Sequence, residues 1–350
     1  MRYGAITLRE ISNQPDVWLR CLQTLDALDI GRLTAGRRPF SYRWVFIGCG
    51  TSYYLAQAAA ASFISLTGAF ACAVPASEML LYPGLSVAGD DGAIFPVLIS
   101  RSGQTSEVLQ VAEVLRRRDV EFLGITCDGN EFSQLSPYML QLPVSEESTV
   151  MTSSFTSMLM ALQYIAAKVS RQDEFVAGLR ALPKALAGLL PVYLPEVEQL
   201  SQRSFEDAAF LAQGVLYPIA SETALKVMES SSSYAQFFHT LEFRHGPKSI
   251  VSEKVLVGGL ISEAGYAEES AVLMEMKELG ACTLAIANCI SPELRASADL
   301  AIELAQPMPE LALLSIYVVW GQLLGSYIGL RKGLNPDSPR HLSRVVTLEG

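Results

Sequence analysis

The sequence predicts an α/β protein built from two parallel sheets flanked by helices, the second a copy of the first. Three observations predict it. A strand, loop, helix and strand follow one another between Ile94 and Thr126, and the same order returns between Val255 and Ala287. Strands alternating with helices imply a parallel sheet. At 350 residues the chain is also too long for one compact core of ordinary size.

Taken in order, Trp44–Ile47 is an apolar strand that ends in Gly48-Cys49-Gly50-Thr51-Ser52, with a helix starting near Tyr53. Val97-Leu98-Ile99 is a second strand ending at Ser100. Apolar residues at Val108, Val111, Ala112 and Leu115 give Glu107–Arg118 helical spacing with a basic far end. Phe122–Thr126 is the next strand. Thr152-Ser153-Ser154, with Thr156 and Ser157, opens a further helical run. Downstream, Tyr217-Pro218 precedes a helix bearing Glu222, Lys226 and Glu229. Val255–Ile261, Glu269–Leu279 and Thr283–Ala287 then repeat strand, helix and strand. Ser100-Arg101-Ser102-Gly103 superposes on Ser262-Glu263-Ala264-Gly265 at a constant offset of 162, which also lays Glu107 on Glu269. The copies differ where chemistry is at stake. Ser102 and Thr105 become Ala264 and Ala267, so only the first loop keeps its hydroxyls.

Half the residues are hydrophobic and 18% are charged, which excludes wholesale disorder. The net charge of −10 argues against nucleic acid as the main partner. Cys21, Cys49, Cys72, Cys127, Cys282 and Cys289 form no C-x-x-C pair, and most lie in apolar runs, as expected of reduced thiols in a cytoplasmic protein. Met1–Glu10 lacks the apolar core of a secretion signal. Leu311–Leu330 is uncharged over 20 residues, the length of a membrane span, but it contains Ser315, Gln322, Ser326 and three glycines. It and the uncharged stretch Trp44–Ser77 are expected to be buried core elements, and no membrane role is expected.

A loop from a strand's carboxyl end to a helix N-terminus presents unpaired N–H groups at the positive end of the helix dipole. Ser100, Ser102 and Thr105 add hydroxyl donors, and Gly103 allows close approach of an anion. Such loops line the carboxyl edge of an open parallel sheet. Helix capping explains any one of these loops equally well. Three hydroxyl-rich helix starts in one half favour an oxyanion. Neither G-x-x-x-x-G-K-[ST] nor G-x-G-x-x-G is present, so a nucleotide is not indicated. Glu222, Lys226 and Glu229 share one helix face by their spacing. A solvated salt-bridge row has the same spacing. The polar run after Ser230, through His239, Glu242 and Arg244-His245-Gly246-Pro247, suits an active-site wall better than a continuous helix.

The duplicated unit, Gly48–Ser52 and Ser100–Thr105 resemble the sugar isomerase (SIS) domain over nearly the whole chain. Arg9-Glu10-Ile11 with Gln14-Pro15 is similar to the lead-in of the isomerase half of glucosamine-6-phosphate synthase. Met151–Thr156 and Phe243–Ser249 are more similar to the tagatose-6-phosphate ketose/aldose isomerase group, which includes galactosamine-6-phosphate deaminases. The resemblance implies two tandem flavodoxin-like SIS domains, dimers with shared active sites, and a phosphorylated sugar bound without cofactor or metal. It divides the chain into a helical lead-in (1–35), a phosphate-binding domain (36–185), a domain carrying the catalytic helix (186–335) and a tail over the active site (336–350). It gives Ser100, Ser102, Gln104, Thr105, Thr51 and Ser52 to the phosphate, and Gly50, Arg101, Thr152, Ser153, Glu222 and Arg344 to the rest of the substrate. Glu229 takes the position of the carboxylate that moves a proton between C1 and C2, with Lys226 beside it. His245 takes that of the ring-opening histidine. Aldose–ketose interconversion needs one base that returns its proton to the neighbouring carbon, and ring opening suits an imidazole. His239 is expected to be structural and His341 a contact near the C-terminus.

One departure matters. Where the synthase has a Schiff-base lysine in the tail, this chain has Arg344, whose guanidinium stays protonated. No glutaminase domain with its N-terminal cysteine is present either, so glutamine-dependent amination is not expected. The expected activity is isomerisation of an amino-hexose or hexose 6-phosphate, with deamination as a coupled outcome. A fructosamine-phosphate deglycase and a non-catalytic sugar-phosphate sensor are the competing readings.

Overall fold

The computed structural model describes residues 3–86 and 94–346. The chain packs as two compact units. One comprises Asp16–Glu146, Ser153–Arg180 and Ser343–Gly350; the other comprises Met1–Pro15, Glu147–Thr152 and Ala181–Leu342. The lead-in expected over 1–35 thus divides after Pro15, and the tail divides after Leu342.

Each unit holds a five-stranded parallel sheet. In the first, β1 (Arg43–Gly48), β2 (Ala71–Pro75), β3 (Ile94–Ile99), β4 (Leu123–Thr126) and β5 (Tyr138–Gln141) lie in the order β2-β1-β3-β4-β5. In the second, β6 (Asp207–Ala212), β7 (Tyr234–His239), β8 (Val255–Ile261), β9 (Cys282–Ala287) and β10 (Leu300–Glu303) lie in the order β7-β6-β8-β9-β10. The two orders correspond strand for strand, so the duplication read from one loop extends to the whole topology. The helices are α1 (Ala5–Ser12), α2 (Gln14–Asp26), α3 (Ile30–Leu33), α4 (Thr51–Thr67), α5 (Ala76–Leu81), α6 (Pro83–Ser86), α7 (Ser106–Arg117), α8 (Ser153–Val169), α9 (Asp173–Ser201), α10 (Tyr217–Ser231), α11 (Tyr266–Glu278), α12 (Pro292–Ser297) and α13 (Leu314–Arg331).

The central strands β3 and β8 are buried at every position, as parallel strands covered on both faces must be. Around β1 and β3 the core is Val45, Ile47, Leu98, Val108, Val111 and Leu115; around β8 it is Val257, Ile261, Val272, Leu273 and Met276. The apolar stretch that matches a membrane span is α13, buried from Leu314 to Gly329. Both α9 and α13 are long and apolar enough to cross a membrane by length and composition alone. Within the run after Ser230, Tyr234–His239 forms edge strand β7, which the reading of the sequence did not assign as a strand. Helix α11 starts three residues ahead of the expected Glu269, at Tyr266.

Three glycines fix α13 against α10. A Cβ at Gly321 would lie 2.5 Å from Thr223, one at Gly325 would lie 2.7 Å from the Lys226 carbonyl, and one at Gly329 would collide with the Ser230 carbonyl. The i, i+4, i+8 spacing sets them on one helix face, where Gly325 and Gly329 meet the α10 backbone and Gly321 makes room for the Thr223 side chain.

The loop after β8 shows why the second copy lost its hydroxyls without loss of structure. Gly265 N donates to Ser262 Oγ at 3.0 Å, and the matching bond, Gly103 N to Ser100 Oγ, is 3.0 Å in the first copy. In the second copy, however, the Glu269 carboxylate takes the Ser262 N–H at 3.0 Å and the Ser262 hydroxyl at 2.5 Å. In the first copy the matching Ser100 N–H is bonded to Ile125 O at 3.1 Å, so the two loops differ in what their first serine binds. Glu310 lies close by and accepts from Glu263 N at 2.8 Å. Burial, with the neighbouring charges of Glu263 and Glu269, pushes Glu310 up to about 7.

Two outcomes follow. Gly325→Ala forces α13 off the Lys226 carbonyl and should cost about 1–3 kcal/mol, read as a lowered denaturant midpoint. Glu310 binds its proton more tightly folded than unfolded, so its contribution is present below its ordinary value of 4.5 and is lost as pH rises through about 7. Glu310→Gln should therefore be more stable than wild type at pH 8, by on the order of 1 kcal/mol after allowing for partial exposure. The difference should vanish in melts at pH 4.5.

Candidate functional site

The candidate residues fall into two clusters, each within one unit. In the first sheet β1 and β3 are adjacent and parallel, so the turns that follow them share the carboxyl edge. Gly50, at φ 53°, is the N-cap of α4, and Thr51 and Ser52 open that helix, both buried. In the β3 loop Ser100, Arg101 and Ser102 are buried, and Gln104 is exposed. Ser100 Oγ accepts from Gly103 N and stands 3.3 Å from Thr105 Oγ1; Ser102 Oγ accepts from Gln104 N at 3.2 Å. Thr105 is the N-cap residue of α7, yet its side chain makes no capping bond. Plain capping therefore does not account for that hydroxyl. Gly103 sits at φ 61°, and a Cβ there would run into Asn130, whose amide donates to the Ser102 carbonyl. Glycine is required at this turn both by backbone conformation and by space.

Arg101 is bound on every side that the structure describes. Its carbonyl accepts from Cys127 N, Asp128 N and Thr126 Oγ1. Its guanidinium donates to Glu146 at 3.2 Å and to the Arg344 carbonyl at 3.1 Å. Glu146 in turn accepts from Ser154 N at 2.8 Å and Ser154 Oγ at 2.6 Å at the start of α8, where Ser153 is also buried. The tail adds Val346 O against Ser106 N at 3.4 Å and Arg344 Nη2 against Asp128 at 3.4 Å. This unit thus gathers the β3 loop, the start of α8 and Arg344. Cys49, between Gly48 and Gly50, has its thiol pushed up to about 12 by burial and by Glu107, so it is no nucleophile near neutral pH.

In the second unit Glu222, Lys226 and Glu229 do share a face of α10, but that face is not solvated. Glu222 and Lys226 are fully buried, and the Glu229 side chain is 20% exposed. Lys226 Nζ lies 3.3 Å from Glu222 Oε1 and donates to Glu229 Oε2. Burial pushes the Lys226 ammonium down, but Glu222 and Glu229 together outweigh it and hold it above its usual range. Lys226 is a fixed cation, and Glu229 is the member of the row that reaches the surface. The exposed salt-bridge row is overturned by burial that helical spacing alone does not reveal.

Thr152 O accepts from Gln322 Nε2 at 3.2 Å, and Glu10 steadies the same segment by accepting from Ser148 N at 3.3 Å and from the Ser148 hydroxyl. His245 lies in the short turns after β7. Its N–H bonds Glu242 O at 2.9 Å, and its exposed imidazole makes no hydrogen bond to the α10 row among the described residues. His239 stacks on Tyr217 with ring centroids 3.8 Å apart. Among the described residues no three His, Cys, Asp or Glu side chains converge as a metal site. Reading the sequence missed Glu146 and Asn130 and gave Glu10 no bonding role; each bonds a partner distant along the chain. Only Glu146, a carboxylate just ahead of a hydroxyl-rich helix start, carried a local signal.

Residues 41–168 and 204–324 each match the SIS domain. The glutamine--fructose-6-phosphate aminotransferase of Pyrobaculum aerophilum is 27% identical over 358 residues, covering 99% of this chain and 58% of that protein. The chain thus spans less than two thirds of the length of such aminotransferases. The D-galactosamine-6-phosphate deaminase AgaS of Shewanella sp. is 28% identical, covering 99% of this chain and 91% of that protein. The crystal structure of glucosamine-6-phosphate deaminase from Thermotoga maritima superposes with a TM-score of 0.79 at 25% identity, covering 98% of this chain and 100% of that one. With both halves matched and the two sheets sharing one strand order, the chain belongs to the SIS domain family.

Proposed function

We propose that this protein is a phosphosugar isomerase that acts on an amino-hexose 6-phosphate and couples the proton shift to loss of ammonia. The observation that carries the reading is the α10 row: a buried lysine ammonium between two carboxylates, one of which, Glu229, is partly open to solvent. Glu229 removes the proton from C2 of the open-chain sugar and returns it to C1. When C2 bears an amine, this shift, together with passage of one amine proton to O1, converts the C1 aldehyde and C2 amine into a C1 alcohol and a C2 imine. Water then hydrolyses the imine to a ketose and ammonia. No net oxidation occurs, because C1 and C2 exchange oxidation levels. Lys226 holds Glu229 in place rather than attacking the carbonyl, since an ammonium held above its usual range is no nucleophile.

The phosphate belongs in the first unit's loop, at Ser100, Ser102, Gln104 and Thr105 with Thr51 and Ser52. The uncapped Thr105 hydroxyl supports this. So does the Glu269 carboxylate, which in the second copy takes the Ser262 hydroxyl, the counterpart of the Ser100 hydroxyl. Arg344 in place of an amine nucleophile favours deamination over transfer of nitrogen. The six unpaired cysteines fit a reducing, cytoplasmic setting.

The reading includes a homodimer in which His245 of one subunit opens the sugar ring in the other subunit's site. Its exposed imidazole, unbonded to its own α10 row, supports this. Mixing variants tests base, histidine and assembly together. Against D-galactosamine 6-phosphate, Glu229→Gln should lower kcat by about 10²–10⁴-fold while retaining binding. His245→Ala should also be severely impaired. Co-refolded as a mixture, half the dimers are hybrids with one intact site, so activity should return to about a quarter of wild type. Full activity in Glu229→Gln contradicts the base assignment; a mixture no better than its parents contradicts the shared site.

A further inference from the structure

We infer that Glu146 is a positioning residue for the phosphate site: one buried carboxylate holds the β3 loop to the start of α8 and, through Arg101, to the tail. The inference rests on the functional reading above and deepens it, because it moves Arg101 from the substrate contacts to the framework. Glu146 is 2% exposed, Arg101 6% and Ser154 0%. One oxygen of Glu146 accepts from Ser154 N; the other accepts from the Ser154 hydroxyl and from Arg101. The planar guanidinium of Arg101 reaches Glu146 with one nitrogen and the Arg344 carbonyl with the other, a fork that lysine cannot reproduce.

Stability is a poor reason to keep such a pair. Desolvating both charges offsets most of their attraction, and apolar residues of similar volume generally do as well. What apolar residues do not supply is geometry. The hydroxyls that would face the phosphate come from different elements, and the separation of the β3 loop from the start of α8 is set by the carboxylate between them. Preorganised donors are lost to catalysis and binding when their supports shift by as little as an ångström. Arg101 also neutralises Glu146, which would otherwise be an uncompensated anion beside an anion site.

The sign of one substitution separates positioning from simple electrostatics. Glu146→Gln removes a negative charge near the phosphate, which by charge alone should tighten phosphate binding. Loss of positioning should weaken it. Calorimetric titration with inorganic phosphate and steady-state kinetics with D-galactosamine 6-phosphate are the readouts. The expected result is a phosphate Kd and a KM raised about tenfold or more, with kcat little changed, and substantial recovery in Glu146→Asp. Ser154→Ala, which removes one bond and leaves the ion pair, should move Kd and KM in the same direction by less, and tests the inference if Glu146→Gln fails to fold. Unchanged or tighter phosphate binding in the folded variants overturns the inference alone. A wild-type protein that neither binds phosphate nor turns over the sugar overturns the functional reading, and this inference with it.

Discussion

A full positive charge is buried on α10, and the second unit is arranged around it. Lys226 is out of water, so it persists as a cation only because Glu222 and Glu229 flank it on the same helix face. Of the two carboxylates Glu222 is sealed and Glu229 is partly open. The glycines of α13 set the depth. At Gly325 and Gly329 no side chain stands between the two backbones, and Gly321 admits the Thr223 side chain, so α13 packs closely on α10. An ordinary leucine-lined contact would hold the helices further apart.

Duplication explains how the two halves came to differ. Both copies keep the same strand order and the same glycine-to-serine bond in the loop after the third strand. The first copy retains hydroxyls there and ties its arginine to Glu146. The second supplies its own carboxylate, Glu269, to the donors.

Much of the fold was legible in the sequence because its signals are local. Apolar strands such as Val255–Ile261, helical spacing in Glu107–Arg118 and a constant offset of 162 need no knowledge of distant contacts. The strand-to-helix turn at Ser100–Thr105 was legible for the same reason. The burial of Lys226 was not, since i, i+4, i+7 charges read alike on a wet helix and a dry one. Gly321, Gly325 and Gly329 were visible only as interruptions in a span of membrane length, because their meaning lies in α10, about a hundred residues earlier. Strand β7 was not assigned from the sequence, and Glu146 was hidden by the 45 residues that separate it from Arg101.

The proposed phosphate site lies in one copy only: the first loop keeps the hydroxyls of Ser102 and Thr105, and in its twin the Ser262 hydroxyl is bonded to Glu269. Equilibrium titration of the chain with D-galactosamine 6-phosphate tests it most directly. The account predicts one bound sugar phosphate per chain, lost in a Ser102→Ala/Thr105→Ala variant that still folds. Two per chain, or binding undiminished in that variant, would contradict it.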